Sequence, residues 1–189
     1  MPSRDVPAGH RAGSRYARLV TGGEGEVDLL RLFSARPGRF RGEGADADGA
    51  RFGVALTVSA VAQGAAVALT VSETDLAGRV RYGEHGVLAA GEDGPLRYCA
   101  VSSSAPFHRV FGLRRTGSAD GRALAVFGWG GPPEATAGFR EEVTLMVYAD
   151  GDIGLGWAYG VPGEPFAPRS AARLSPAPPL GDQGAIVVS

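Results

Sequence analysis

Apolar residues recur at every second position through most of residues 39–160. In the segment 51–61, for example, Phe52, Val54 and Leu56 share one face, and small or polar residues share the other. A period of two places successive side chains on opposite faces of a β-strand, so this pattern predicts strands. Ten segments show it, at 39–44, 51–61, 65–72, 79–82, 87–90, 96–101, 107–115, 122–129, 139–148 and 153–159.

Asp-Gly pairs separate several of these segments and predict tight turns, because Asp and Gly tolerate the positive φ angles of short hairpins. The pairs are Asp48-Gly49, Asp93-Gly94, Asp120-Gly121 and Asp150-Gly151. Residues 83–86, Gly-Glu-His-Gly, predict a further turn. A long run of hairpins is an antiparallel meander, and closing it into a barrel removes its exposed edges. We therefore predict an all-β fold, an antiparallel up-and-down β-barrel of about 8–10 strands.

One short helix is predicted before the strands. The T-x-x-E pattern at residues 21–24 is typical of a capping box. Val27, Leu30 and Phe33 then recur at a spacing of three, which indicates an amphipathic helix of roughly three turns. Arg-Pro-Gly at 36–38 ends it.

The chain divides into three parts on composition. Residues 1–18 lack periodicity and predict a flexible arm. Residues 19–160 hold the helix and the barrel. Residues 161–189 are rich in proline, which cannot donate to a strand ladder, so we expect a tail outside the sheet. The apolar end at 185–188 suits a sheet edge of this chain or of a neighbour, which leaves a homodimer open.

Composition excludes several classes of partner. The chain has 189 residues with a formal net charge of −1, so nothing favours nucleic acid or an anionic membrane surface. No segment has the roughly 20 apolar residues of a membrane helix, and the N-terminus lacks the apolar core of a secretory signal. Cys99 is the single cysteine, which excludes an intramolecular disulfide. We expect a cytoplasmic protein.

A motif then points to a known group of barrels. Gly-Arg-Phe-Arg-Gly-Glu-Gly at 38–44 follows the predicted helix and opens the meander. This order resembles the calycin group, the lipocalins, fatty-acid-binding proteins and their bacterial relatives, although Phe40 stands where that group more often has Trp. The resemblance implies a closed barrel with an internal cavity for a small, mostly apolar molecule. Some bacterial barrels of this shape are cyclases in polyketide pathways, and others bind haem.

Candidate ligand contacts follow from the richer apolar face of each strand, which should point inward. They are Tyr98, Phe111, Trp157 and Tyr159. Trp129 lies in the Gly- and Pro-rich segment 128–133, a hairpin loop or a lid at the mouth, where it would either cap a ligand or pack as an exposed side chain.

Two charged residues share these inward faces. Arg109 is in register with Phe111, and Glu141 is in register with Val143. An inward charge is costly unless it is paired, so we expect a pair, a ligand contact, or both. Arg109 would bind a carboxylate or enolate oxygen, and Glu141 would orient the ligand or move a proton. The alternatives without a functional role are that Arg109 and Glu141 lie near the mouth of the barrel, or that a β-bulge turns these side chains outward.

His85 in the predicted turn, beside Glu84, is a second acid–base candidate, although a turn histidine is usually only solvated. The three histidines are scattered and accompany one cysteine, which is not a metal-ligand pattern, so no metal and no cofactor are expected.

Three functions remain open at this point. The first is a barrel that binds a small apolar ligand with one polar handle. The second is a cyclase or isomerase acting on a secondary-metabolite intermediate of the polyketide type, largely by conformational confinement. The third is a β-sandwich interaction or assembly module that pairs through its strand edges. A cavity is required by the first two and not by the third.

Overall fold

The N-terminal helix is shorter than predicted in the part of the chain that the structure describes. The computed structural model describes residues 28–119 and 121–178, and α1 spans Leu29–Ser34. Asp28 caps it, with its Oδ1 accepting a hydrogen bond from the Arg31 N–H at 2.9 Å. The predicted capping box at 21–24 and the arm at 1–18 lie outside the described residues.

Ten antiparallel strands follow and close into a barrel. They are β1 (Gly38–Asp46), β2 (Arg51–Val61), β3 (Ala66–Thr74), β4 (Val80–Ala90), β5 (Leu96–Ser102), β6 (Ala105–Ala119), β7 (Arg122–Gly130), β8 (Arg140–Tyr148), β9 (Ile153–Gly160) and β10 (Ala167–Pro176). Each strand pairs with the next in sequence, and β10 pairs with β1. The predicted up-and-down barrel is confirmed, and the β-sandwich alternative is wrong because the sheet closes on itself.

The predicted turn at 83–86 is wrong. Residues 80–90 form the single strand β4, and both predicted short segments belong to it. The glycine that suggested a turn has a packing role, since a Cβ at Gly86 would overlap the ring of Tyr98 on the neighbouring strand. Gly86 therefore makes room for an aromatic side chain inside the barrel.

The proline-rich segment does enter the sheet, contrary to expectation. Strand β10 pairs with β9 on one side and with β1 on the other, so the barrel extends to Pro176 and does not end at residue 160. Its prolines are tolerated because of where they fall. Pro168 lies where the β9–β10 register shifts, and Pro176 is the last residue of the strand. The apolar end at 185–188 lies outside the described residues.

The seam between β1 and β10 requires glycine. A Cβ at Gly42 would overlap the backbone carbonyl of Arg173 on β10, and a Cβ at Gly44 would overlap the ring of Phe52 on β2. Both glycines belong to the motif at 38–44. The motif is thus a closure element, since it lets β1 pass close to the strands on both sides.

Apolar side chains fill the end of the barrel that α1 covers. Leu29 and Phe33 of the helix are fully buried, and the helix lies against β2, β3, β7 and β8. The Ser34 hydroxyl also reaches the Gly64 carbonyl at 3.4 Å, in the turn after β2. Further core residues include Leu56, Leu69, Phe127, Leu145, Ile153 and Leu174. The interior is therefore packed at this end, and any cavity must lie toward the opposite one.

The glycine-rich face of β9 is covered within the same chain. A Cβ at Gly154 would lie 2.8 Å from the Met146 Cε and 3.1 Å from the Tyr148 ring, both on β8. Neighbouring side chains use the space that the small residues leave. The homodimer stays a prediction.

A glycine at the seam provides a test of the closure. We expect Gly42→Ala to lower the free energy of unfolding by about 1–3 kcal/mol, because the added methyl overlaps backbone that cannot move aside. Urea denaturation measures the change. Gly112→Ala is the matched control, since a Cβ there meets nothing within 4 Å. Equal stability of the two variants would contradict the role assigned to the seam.

Candidate functional site

A cavity of about 550 Å³ opens at the end of the barrel opposite α1. Strands β1, β3, β4, β8, β9 and β10 reach it with residues near their open-end termini. Its lining includes the side chains Asp46, Asp48, Glu73, Arg81, Tyr82, Ser104, Glu141, Trp157, Tyr159, Arg169 and Ser170. The walls therefore combine aromatic rings with carboxylates and guanidinium groups, so this end of the interior is more polar than the sequence predicts.

The buried ion pair Arg109–Glu141 lies at the inner wall of the cavity. Arg109 on β6 donates through Nη1 to the Glu141 Oε2 on β8, and through Nη2 to the Ser102 hydroxyl at 3.0 Å. Arg109 and Glu141 are 5% and 8% exposed. Both face the interior, as the alternation predicts. Burial raises the pKa of Glu141, and the Arg109 guanidinium opposes that rise.

Two tyrosines hold a second buried carboxylate, Glu84 on β4. The hydroxyl groups of Tyr82 and Tyr98 each donate to one of its oxygens, both at 2.6 Å. Burial, and then the charge of Glu84, raise the pKa of both phenols. The tyrosines therefore stay neutral donors, and Tyr82 presents its ring to the cavity wall.

A third group lies at the rim. The Arg81 Nη2 contacts the Asp46 Oδ1 at 2.9 Å, its Nε lies 3.3 Å from the Glu73 Oε2, and its guanidinium stacks on the Phe52 ring at 4.4 Å. Glu73 is 5% exposed. Burial raises the pKa of Glu73, and Arg81 partly offsets that effect.

Aromatic rings continue around the mouth on β6 to β9. Trp129 lies 6.4 Å from Phe107 and 5.9 Å from Phe139, measured between ring centroids. Phe139 stacks on Tyr159 at 5.7 Å. The row ends where the Arg169 guanidinium lies over Tyr159 at 4.3 Å. This aromatic rim, defined as Phe107, Trp129, Phe139 and Tyr159, connects the cavity to the outer surface.

Arg140 positions the loops at the same end. It is 1% exposed, and its guanidinium donates to the backbone carbonyls of Gly138, Val161 and Glu164 at 3.1, 3.3 and 2.8 Å. Gly160 leaves the space that this guanidinium occupies. A buried side chain thus holds the segments that precede β8 and follow β9.

The predicted site residues separate into different places. Glu141, Trp157 and Tyr159 line the cavity together. Tyr98 and Phe111 are fully buried in the packed core, 6.0 Å apart between ring centroids, and do not line the cavity.

The remaining predicted residues also lie outside the lining. Arg109 lies behind Glu141, and Trp129 belongs to the aromatic rim. His85 is exposed on the outer face of β4, where its Nδ1 lies 3.1 Å from the Thr70 hydroxyl. The structure therefore does not bring His85 to the interior cluster.

Three interior groups were not predicted: Tyr82, Glu84 and Glu73. Tyr82, Glu84 and Leu88 share one face of β4, which is a usable signal of inward facing. The two glycines at 83 and 86 concealed it by suggesting a turn. Glu73 continues the face of Val71 on β3 and could have been found in the same way.

Two features are absent from the part of the chain that the structure describes. Residues 28–119 and 121–178 contain no group of three or more His, Cys, Asp or Glu side chains that could hold a metal ion. Over the same ranges, no helix is long and apolar enough to cross a bilayer.

Comparisons with known proteins bear on the fold alone. No protein-family profile matches the chain, and no curated protein matches it. The crystal structure of Rv2717c from M. tuberculosis is similar, with a TM-score of 0.59, 15% identity, and coverage of 80% of this chain and 99% of that one. A designed fluorescence-activating β-barrel has a TM-score of 0.43 and 12% identity over the same shares, which is too distant to support an argument. Membership of the calycin group stays a prediction.

The buried ion pair gives a stability test. We expect Arg109→Met to cost about 3–5 kcal/mol, because Glu141 then remains buried without its partner. The double variant Arg109→Met/Glu141→Leu should recover most of that loss. Chemical denaturation of both single variants and the double variant measures the coupling. Arg51→Met removes the exposed pair with Glu43 and serves as the control, with an expected change of about 0–1 kcal/mol.

The raised pKa of Glu73 makes a second, pH-dependent test. A carboxyl whose pKa is higher in the folded state than in the unfolded state stabilises the fold below its unfolded pKa, near 4.5. That contribution is lost as the pH rises through the folded value. Relative to Glu73→Gln, the wild type should therefore lose stability as the pH increases above 4.5. Denaturation across a pH series measures this difference, and a difference independent of pH would contradict the assignment.

Proposed function

We propose that this barrel binds one small molecule in the cavity at its open end. The observation that supports this proposal is a cavity of about 550 Å³ in which aromatic rings and a buried carboxylate face the same space. Pockets of about 300–1,000 Å³ with apolar walls and a few convergent polar groups are typical of small-molecule sites.

The apolar body of the ligand packs against Trp157 and Tyr159, with the Tyr82 ring beside them. Tyr82 and Trp157 are 6.2 Å apart between centroids in an edge-to-face arrangement, so these rings form one continuous corner. One polar handle of the ligand meets Glu141. Because Arg109 and Ser102 hold that part of the interior rigidly, the carboxylate is oriented before the ligand arrives.

A second candidate is an isomerase or cyclase in the same cavity. It is favoured by the raised pKa of Glu141, since a carboxyl that titrates closer to neutral pH is a better proton carrier. In that case Glu141 moves a proton on a substrate folded against the aromatic corner. Turnover separates the two candidates, because Glu141→Gln would abolish it while retaining the aromatic contacts.

Protein-observed NMR tests the binding proposal. The chain has two tryptophans, so its ¹⁵N spectrum contains two indole N–H signals, and Trp129→Phe assigns them. We expect members of a fragment set containing neutral, cationic and anionic aromatic compounds to shift the Trp157 signal saturably.

A cavity-filling variant supplies the control. Ser104→Phe, at the cavity wall, should abolish the shift, whereas Ser103→Phe changes the neighbouring residue that does not line the cavity and should retain it. Fragments that leave Trp157 unmoved, or that bind equally to both variants, would overturn the proposal.

A further inference from the structure

The guanidinium groups around the cavity have internal partners for some of their N–H groups, although the buried Arg109 Nε has none within the described residues. Arg109 is paired with Glu141 and Ser102 and does not line the cavity. Arg81 contacts Asp46 and Glu73. Arg169 stacks on Tyr159, and its Nε donates to the Tyr159 carbonyl at 3.3 Å. A carboxylate ligand would have to displace Asp46 or Glu73 to reach Arg81, whereas at Arg169 it would meet Nη2 with only a 3.9 Å contact to the Glu164 Oε2.

Carboxylates outnumber guanidinium groups in the lining. Asp46, Asp48, Glu73 and Glu141 line the cavity, against Arg81 and Arg169. Behind the wall, Glu84 and Arg109 add one group of each kind, so the lining residues decide the balance. The cavity therefore carries an excess of acidic groups over basic ones.

Two of these carboxylates have one oxygen without a donor within the described residues. Only the Oε2 of Glu141 accepts a hydrogen bond, and its other oxygen has no donor within the described residues. Glu73 has the Arg81 Nε at 3.3 Å and no closer partner in the same part of the chain. The side chains of Glu141 and Glu73 are only 10% and 6% exposed. The unpaired oxygens of these two cavity-lining residues are accessible, so a ligand that brings donors can reach them.

We propose that the polar handle of the ligand is a cation, an ammonium or similar nitrogen group that donates to Glu141 beside the aromatic corner. This inference rests on the proposed function, because it assigns the chemical class of the molecule in the same cavity. The aromatic walls add to the preference, since an ammonium is attracted to the faces of Trp and Tyr rings. A cationic handle is the opposite of the sequence-based hypothesis, in which Arg109 binds a carboxylate or enolate oxygen of the ligand.

Three probes of matched shape test the charge preference. They are phenethylammonium, neutral 2-phenylethanol and anionic 3-phenylpropionate, each titrated at neutral pH against the full chain with the Trp157 indole signal as readout. We expect phenethylammonium to bind at least about tenfold more tightly than 3-phenylpropionate, as a charge-assisted hydrogen bond predicts. 2-Phenylethanol should lie between them.

Substitutions of single carboxylates show which of them causes the preference for a cation. Glu141→Gln and Glu73→Gln should each reduce the ratio of phenethylammonium to 2-phenylethanol affinity by several-fold, and Glu73→Gln leaves the Arg109 pair intact. Glu43→Gln removes the same charge from the outer face of β1, where Glu43 is 64% exposed at its side chain, and should leave the ratio unchanged.

The outcomes separate the two proposals. If 2-phenylethanol shifts Trp157 and the ammonium binds no more tightly, the cation assignment is overturned and the binding function stands. If 3-phenylpropionate binds most tightly, the cation assignment is overturned in favour of an anion. If none of the three probes and none of the fragment set shifts Trp157, both proposals are overturned.

Discussion

Closure between β1 and β10 is the constraint on which the rest of this structure depends. Without it the sheet would have two open edges, and the interior charges would face water. The closure needs two strands to approach more closely than a Cβ allows, which Gly42 makes possible against the carbonyl of Arg173. Gly42 thus contributes directly to the closure that separates the interior from water.

The interior of the closed barrel is apolar at one end and polar at the other. At the α1 end, Leu29 and Phe33 complete an apolar core that is filled by side chains. Toward the open end, the interior holds Glu141 with Arg109, and Glu84 between Tyr82 at the cavity wall and Tyr98 in the core. Burying ionisable groups does not in general favour folding, since desolvation offsets the attraction within a pair. Burial of apolar side chains at the α1 end offsets this cost.

The inward or outward orientation of side chains could be predicted where the alternation of apolar and polar residues was uninterrupted. Where glycine interrupted the alternation, it could not. Arg109 and Glu141 share faces with Phe111 and Val143, and this phase holds in the structure. On β4 the same logic applied to Tyr82 and Glu84, yet Gly86 resembled a turn residue. Its reason for being glycine is the Tyr98 ring on another strand, a contact between positions that the sequence does not relate.

The sequence alone was sufficient to predict most of the strands, their hairpin order and the short helix, because period-two alternation and Asp-Gly turns act over a few residues. It could not determine that a proline-bearing segment supplies β10, since Pro168 and Pro176 are tolerated only at a register shift and at a strand end. Nor could it determine which inward residues meet a cavity and which meet each other. Tyr98 and Trp157 look alike in sequence, and only the tertiary structure places one among buried side chains and the other at the cavity wall. That placement is a property of the closed barrel, because it depends on the register of all ten strands in the described residues.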